Sequence, residues 1–164
     1  MISKVVQDAM NEQINKELYS AYLYLSMSAY FTGANLSGFA HWMRVQGKEE
    51  QEHAMKFYDF IHDRGGEVTL KALAQPPADF KSPVTVFQEA FAHEQRVTAS
   101  IHQLYETAVR EKDYPSQVML QWFINEQVEE EKNAGEIVAR LKMVGDHPGA
   151  LFALDRELAA RAGE

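Results

Sequence analysis

Apolar residues recur every three or four positions along four long stretches of this chain, which is the period of one face of an α-helix. The pattern predicts helices over about residues 4–31, 37–64, 84–111 and 115–144, each with an apolar face directed inward. Only a few residues separate the first helix from the second and the third from the fourth. Each of these two pairs is therefore predicted to form an antiparallel hairpin.

The connection between the hairpins, residues 65–83, is long and is broken by Gly65-Gly66 and Pro76-Pro77. A helix of about 28 residues measures ~42 Å, and about 18 extended residues reach up to ~60 Å. The connection can therefore run the full length of the bundle. The sequence predicts an all-α fold, a four-helix bundle with one long crossover.

A shorter amphipathic stretch over residues 150–161 predicts a fifth helix near the C-terminus. A closed four-helix bundle cannot take up another apolar face in its interior, so we expect this helix to act as an assembly element. The 164 residues are predicted to form a single domain, 1–164, which is long enough to bury a substantial core.

The composition narrows the classes of function. A formal net charge of −8 argues against a nucleic-acid or anionic-membrane partner and suits a protein that handles cations. The chain has no cysteine, which excludes disulfides, thiolate metal sites and iron–sulfur clusters. The opening residues lack the continuous apolar core of a signal peptide, and no stretch approaches the roughly 20 apolar residues needed to span a membrane. The expected location is the cytoplasm.

One glutamate interrupts the apolar stripe of each long helix: Glu17, Glu50, Glu94 and Glu130. A buried, unpaired ion costs several kcal/mol even after relaxation, so four would exceed a typical folding stability of roughly 5–15 kcal/mol. The four stripes contain no lysine or arginine that could pair with them. Two divalent cations would neutralise the four carboxylates, and they would do so better than protons.

The two halves of the chain repeat this pattern at a distance of 77 residues, which superposes Glu17 on Glu94, Glu50 on Gln127 and His53 on Glu130. Glu50 and His53 share one helix face at i and i+3, and Glu50 is well placed to bridge two ions. The sequence predicts a pseudo-twofold dinuclear site whose two positions differ, because only one has an imidazole. Oxygen-rich ligands with one imidazole suit Fe(II), Mn(II) or Zn(II).

Three segments resemble those of bacterial and archaeal non-haem ferritins: residues 17–22 (ELYSAY), 49–53 (EEQEH) and 125–131 (NEQVEEE). The likeness covers essentially the whole chain, including the fifth helix, and it implies that the predicted four-helix bundle is ferritin-like. It implies a hollow shell of 24 subunits with octahedral symmetry and a ferroxidase centre, with two irons, inside each bundle. The resemblance implies a first iron held by Glu17, Glu50 and His53, with Glu50 bridging to the second iron.

The second iron is then expected on Glu94 and Glu130, with Gln127 beside it. The resemblance also implies a third iron site, formed by Glu49, Glu126, Glu129 and Glu130. Tyr24 lies two turns after Glu17 on the same face, where it could hydrogen-bond a ligand or transfer an electron.

Related families differ from this pattern. Bacterioferritins have a second Glu-x-x-His on the fourth helix, and their haem-ligating methionine falls at Gln51 here, so no haem is expected. Rubrerythrins add a cysteine-based iron site that this chain cannot form. Trp122 is predicted to be a core residue, and surface or capping roles are predicted for His41, His62, His93, His102 and His147.

Iron storage with ferroxidase activity is the leading hypothesis, with dioxygen or hydrogen peroxide as the oxidant of Fe(II). Two alternatives remain open at this point. A di-iron oxidase or peroxidase of the same bundle class would store no mineral, and a dimer in sizing chromatography would favour it. A purely structural bundle would have protonated or exposed acids and would bind no metal.

Overall fold

The computed structural model describes residues 1–163 and contains five helices. They are α1 (Lys4–Gly33), α2 (Ser37–Asp63), α3 (Pro83–Arg110), α4 (Tyr114–Val144) and α5 (Pro148–Leu158). No strand occurs in this part of the chain. The predicted all-α fold is confirmed, and the bounds of the first four helices agree with the prediction to within two residues. The fifth helix begins two residues earlier and ends three residues earlier than predicted.

Side chains cap the N-termini of three of the long helices. Ser3, Ser82 and Asp113 each accept a hydrogen bond from a backbone N–H in the first turn of α1, α3 and α4. These are preferred N-cap residue types because a short oxygen-bearing side chain satisfies a donor that lacks an intrahelical partner. The two tight links each contain a residue in the left-handed region, Asn35 (φ 59°) and Lys112 (φ 54°), which lets the chain reverse within a few residues.

The long crossover, residues 64–82, lies along α1. Near its start, the Asn11 side chain donates to the Glu67 carbonyl at 3.0 Å and accepts from the Thr69 N–H at 2.8 Å. Near its end, the Ser26 hydroxyl donates to the Pro77 carbonyl at 2.6 Å. Because these contacts follow α1 from residue 11 to residue 26, the crossover connects opposite ends of the bundle, as the sequence predicts.

Two apolar clusters fill the bundle, one on each side of a polar layer. One cluster is built around Phe31, Phe39 and Phe87, and the other around Phe57 and Phe123, all of them fully buried. The buried glutamates of the four long helices lie between the clusters along the sequence of each helix. The fold thereby surrounds a layer of ionisable groups with apolar walls, where electrostatic interactions are strong.

Helix α5 packs on the outside of the start of α2. Leu154 and Leu158 are buried in the first apolar cluster, and the Asp155 carboxylate accepts a hydrogen bond from the Phe39 N–H at 3.0 Å. As expected, α5 stays out of the bundle interior, yet it buries these two leucines against its own chain. The reason is that the helix covers the side of the bundle instead of entering it. Phe152 is 55% exposed and remains available for assembly.

None of the helices within residues 1–163 combines the length and the apolar character that a membrane span requires.

Candidate metal centre

Each bundle helix contributes one carboxylate to the polar layer. Glu17, Glu50, Glu94 and Glu130 are all buried, with at most 4% of each residue exposed. The neighbouring His53 is also buried, and its Nδ1 lies 3.4 Å from a Glu50 oxygen. The acids are therefore not the solvated groups of the purely structural alternative.

Three groups of side chains have ligand atoms within 4.8 Å of one another: Glu17 with Glu50 and His53; Glu50 with Glu94 and Glu130; and His53 with Glu126 and Glu130. The first two groups share Glu50. Two ions held by these groups would therefore have one carboxylate in common, and only the first of the two would have an imidazole ligand.

Mutual burial of like charges is visible in the pKa values of the four carboxyls. Burial raises the pKa of Glu17 from an ordinary value of 4.5 to about 7. Burial and then repulsion by Glu94 and Glu17 raise the pKa of Glu50 well above the ordinary value. Glu94 and Glu130 shift in the same direction, with burial as the largest cause. A bound cation would reverse these shifts because it favours the charged forms.

The first position is incomplete without a ligand. Gln13 donates to one oxygen of Glu17 at 2.7 Å, whereas the other oxygen, Oε2, is buried without a hydrogen-bond partner. Buried polar atoms are nearly always satisfied, so an orphaned carboxylate oxygen on a residue grouped with His53 and Glu50 is suited to coordinate a cation. The residues present therefore fit a divalent metal ion.

At the second position, neutral side chains donate hydrogen bonds to Glu94. The Tyr24 hydroxyl donates a short hydrogen bond to Glu94 Oε1, and the Gln127 amide nitrogen lies 3.2 Å from Glu94 Oε2. Gln127 also contacts Thr98 at 3.2 Å. The structure thus brings Tyr24, Gln127 and Glu94 together, and the amide nitrogen of Gln127 contacts the Glu94 carboxylate.

Two glutamines of the centre were missed by sequence reasoning. Gln46 donates through Nε2 to Glu50 and to Glu130, at 2.8 Å in both cases, and so joins ligands of two different helices. Gln13 has the corresponding contact to Glu17. Each glutamine precedes a buried glutamate by four residues, and this spacing is the signal that could have identified them.

A third candidate position opens beside the first two. A cavity of about 230 Å³ between α2 and α4 is lined by His53, Glu126, Glu129, Glu130 and Glu49, among others. Of the three additional acids, only Glu126 has a ligand atom within 4.8 Å of ligand atoms of both His53 and Glu130. Within residues 1–163, Glu49 and Glu129 line the cavity but belong to none of the three groups of close ligand atoms. Glu49 instead forms an ion pair with Arg161. The structure therefore brings one of the three additional acids close to the ligands.

Two other predictions were wrong. His93 is buried rather than at the surface, and its Nε2 lies 2.7 Å from the Ser20 hydroxyl. Burial and the nearby Arg96 lower the pKa of His93 from 6.5 to about 4, so that it is neutral at physiological pH. Trp122 is 41% exposed rather than in the core, with its ring centroid 5.4 Å from that of His53. It faces the cavity because its side of α4 points away from the apolar clusters.

Comparison with known proteins supports the same conclusion. The family model of the ferritin-like domain matches residues 7–144, which is most of the chain. The chain belongs to the ferritin family. It is 40% identical over 162 residues to the bacterial non-heme ferritin of Staphylococcus haemolyticus, covering 99% of this chain and 98% of that protein. Its identity to the bacterial non-heme ferritin of Bacteroides fragilis is 42% over 161 residues, covering 98% of this chain and all of the other.

Solved ferritin structures superpose over the whole chain. A closed form of the Archaeoglobus fulgidus ferritin, engineered by site-directed mutagenesis, has a TM-score of 0.99 and 48% identity, with complete coverage of both chains. The open-pore ferritin of the same archaeon has a TM-score of 0.97 and 49% identity, with 99% of each chain covered. The resemblance to prokaryotic non-haem ferritins is thus confirmed, and this ferritin is an iron-storage protein.

Proposed function

We propose that this ferritin oxidises Fe(II) inside each bundle before the iron is stored. Two Fe(II) ions would bind as substrates, the first to Glu17 and His53 and the second to Glu94 and Glu130, with Glu50 shared. The observation that carries this proposal is the sharing of Glu50 by two groups of close, buried ligand atoms. Four carboxylates also balance the charge of two divalent ions.

The reaction class follows from the electron count. Two Fe(II) ions release two electrons, which with two protons reduce dioxygen to hydrogen peroxide, or reduce hydrogen peroxide to two waters. Gln127 would lie beside the second ion, and Tyr24 would hold Glu94 in place through the hydrogen bond from its hydroxyl. The protein supplies ligands and orientation, and the metal supplies the redox chemistry.

Oxidised iron would then leave through the cavity between α2 and α4. A third iron position on Glu126 and Glu130, completed by Glu49 and Glu129 after side-chain movement, would receive it. The support is that all four acids line one cavity adjoining the first two positions. Ferric oxyhydroxide would form beyond this cavity, inside a hollow shell.

We further propose that the chain is a single domain, acts in the cytoplasm without haem, and assembles into 24 subunits with octahedral symmetry. Several large apolar side chains exposed on one subunit are available for such contacts: Tyr22, Leu25, Val128 and Phe152. Electron microscopy should show a hollow particle that acquires a dense core on iron loading. A dimer would contradict storage, and a shell of other symmetry would refute only the octahedral arrangement.

The site assignment is tested by replacing both His53 and Glu94 by Ala. Loss of one ligand from each position should abolish rapid Fe(II) oxidation in stopped-flow absorbance, while the particle remains assembled. A double variant of exposed residues on the same two helices, His62→Ala with Glu106→Ala, is the control and should oxidise Fe(II) normally. Unchanged oxidation in the His53/Glu94 variant would refute the assignment.

A further inference from the structure

The C-terminal segment after α5 returns to the metal centre through Arg161. Its Nη2 donates to Glu49 Oε2 at 2.6 Å and to Gln46 Oε1 at 2.9 Å, and its Nη1 lies 3.4 Å from the Trp42 carbonyl. The guanidinium also stacks over the Trp42 ring at 4.3 Å, and the Arg161 carbonyl lies 2.8 Å from His41 Nε2. These contacts hold the side chain in one place.

Arg161 thereby puts a positive charge into the acidic cavity. The Arg161 and Glu49 side chains are each only 18% exposed, so their interaction is screened less than that of an ion pair in bulk water. The other charged residues that line the cavity are mostly acids: Glu52, Lys56, Glu126, Glu129 and Glu130. The guanidinium therefore lies in the same cavity as the acids of the proposed third metal position, and it already neutralises one of them, Glu49.

One amide connects this cation to the ligands of the first two positions. Gln46 accepts from Arg161 through Oε1 and donates through Nε2 to Glu50 and Glu130. Because an amide has its oxygen and nitrogen at opposite corners, the contact with Arg161 orients the nitrogen toward the two carboxylates. The C-terminal segment therefore helps to position ligands that lie on α2 and α4.

A carboxylate oxygen engaged by a guanidinium is not free to bind a metal ion at the same lone pairs. We propose that Arg161 is a resident counter-cation that competes with iron for Glu49, so that iron occupies the cavity only briefly. Iron that arrives displaces the guanidinium, and the guanidinium returns when the iron moves inward. This inference rests on the third position given under Proposed function.

The test measures binding of Zn(II), which is redox-inert, to the assembled shell of the wild type and of Arg161→Gln. Isothermal titration calorimetry should resolve two strong sites per subunit and a weaker third site in the wild type. The variant should bind the third ion roughly tenfold more tightly, as expected for loss of a competing, partly buried charge, with the first two sites changed far less. Anomalous diffraction of Zn(II)-soaked crystals should place the third ion against Glu49 in the variant.

A matched variant, Arg140→Gln, separates competition from general effects. Arg140 pairs with Glu157 on α5, so its loss removes an equal charge and also weakens the attachment of α5. Zn(II) binding by this variant should equal that of the wild type. If Arg161→Gln does not fold, Arg161→Met is used instead, since its apolar stem can still cover Trp42.

Three results overturn the inference: an unchanged third affinity in the Arg161 variant, an equal gain in the Arg140 variant, or a third ion away from Glu49. A wild-type shell that binds no Zn(II) within the bundle would instead contradict the proposed function.

The Arg161→Gln variant also gives a kinetic readout. Arg161→Gln should slow the turnovers that follow the first one at least severalfold, because iron stays longer in the cavity.

Discussion

Neutral side chains, not cations, donate the hydrogen bonds to the four buried glutamates of the centre. Gln13 donates to Glu17, Tyr24 donates to Glu94, and Gln46 donates to both Glu50 and Glu130. A neutral donor fixes the direction of a carboxylate without cancelling its charge. The attraction for a metal ion is therefore retained, whereas an arginine or lysine in the same place would have neutralised it.

Tyr24→Phe tests this role at the residue scale. Loss of the hydroxyl leaves Glu94 Oε1 without its donor, and we expect the metal-free protein to lose about 1–2 kcal/mol of stability, measured by chemical denaturation. Zn(II) should recover most of the loss, since the metal then orients Glu94.

Tyr22→Phe on the exposed side of α1 is the matched control and should be neutral. An electron-transfer role makes a different prediction, because a tyrosyl radical should then appear by electron paramagnetic resonance in the wild type and be absent in Tyr24→Phe. Equal stability of the two variants would contradict the hydrogen-bonding role.

At the scale of elements, α5 depends on a close approach to α2. The N-terminus of α2 has no side-chain cap of its own, and the Asp155 carboxylate of α5 accepts from the Phe39 N–H in its place. An anion at this end of a helix is favourable because the unpaired N–H groups carry partial positive charge. Gly38 permits the contact, since a Cβ there would lie 1.7 Å from the Asp155 carbonyl oxygen.

Gly38→Ala should therefore displace α5 from the bundle. The clash is with backbone and cannot be relieved by a side-chain rotation, so we expect a loss of roughly 2–3 kcal/mol and faster proteolysis after residue 145. Thermal melting and limited proteolysis with mass spectrometry measure the two effects.

Gly149→Ala is the control within α5 itself, because a Cβ at Gly149 meets nothing within 4 Å. It should be neutral or slightly stabilising, since alanine favours a helix over glycine. A Gly38 variant that melts and is cleaved like the wild type would show that α5 tolerates movement at this contact.

At the scale of the whole molecule, pH and metal binding should act on stability in opposite directions. The raised pKa of Glu17, from 4.5 to about 7, means that the folded state holds a proton that the unfolded chain releases. This difference in proton binding adds roughly 3 kcal/mol to the free energy of unfolding below pH 4.5, and the stabilisation is lost as pH rises through 7. Glu50, Glu94 and Glu130 act in the same direction.

Over part of this pH range, His93 affects stability in the direction opposite to that of the four glutamates. Its pKa is lowered from 6.5 to about 4, so it adds stability as pH rises between these values and nothing further above pH 6.5. We therefore expect the melting temperature of the metal-free shell to fall between pH 6.5 and 8. Zn(II) should raise it more at pH 8 than at pH 6, because deprotonated carboxylates bind the ion and binding stabilises the native state.

Glu17→Gln should show a shallower decline than the wild type, because one titrating group is gone. Differential scanning calorimetry at fixed ionic strength measures all of these values. A melting temperature that is independent of pH in the metal-free wild type would contradict the stated direction of the pKa shifts.

The sequence by itself determined the helices, the hairpins with their long crossover, and the four inward-facing glutamates with His53. These follow from local periodicity, from loop length and from the cost of burying unpaired charge, all of which can be evaluated along the chain. Family resemblance then added the expected roles of these residues, and matches to known ferritins confirmed the family and the fold.

Only the tertiary structure decided which polar groups complete the centre. Gln46 contacts a glutamate 84 positions away, and Arg161 reaches Glu49 across 112 positions. Likewise, the burial of His93 and the exposure of Trp122 depend on how neighbouring helices rotate against each other. Sequence spacing specifies the face of one helix, but contacts between distant segments depend on the packing of the whole chain.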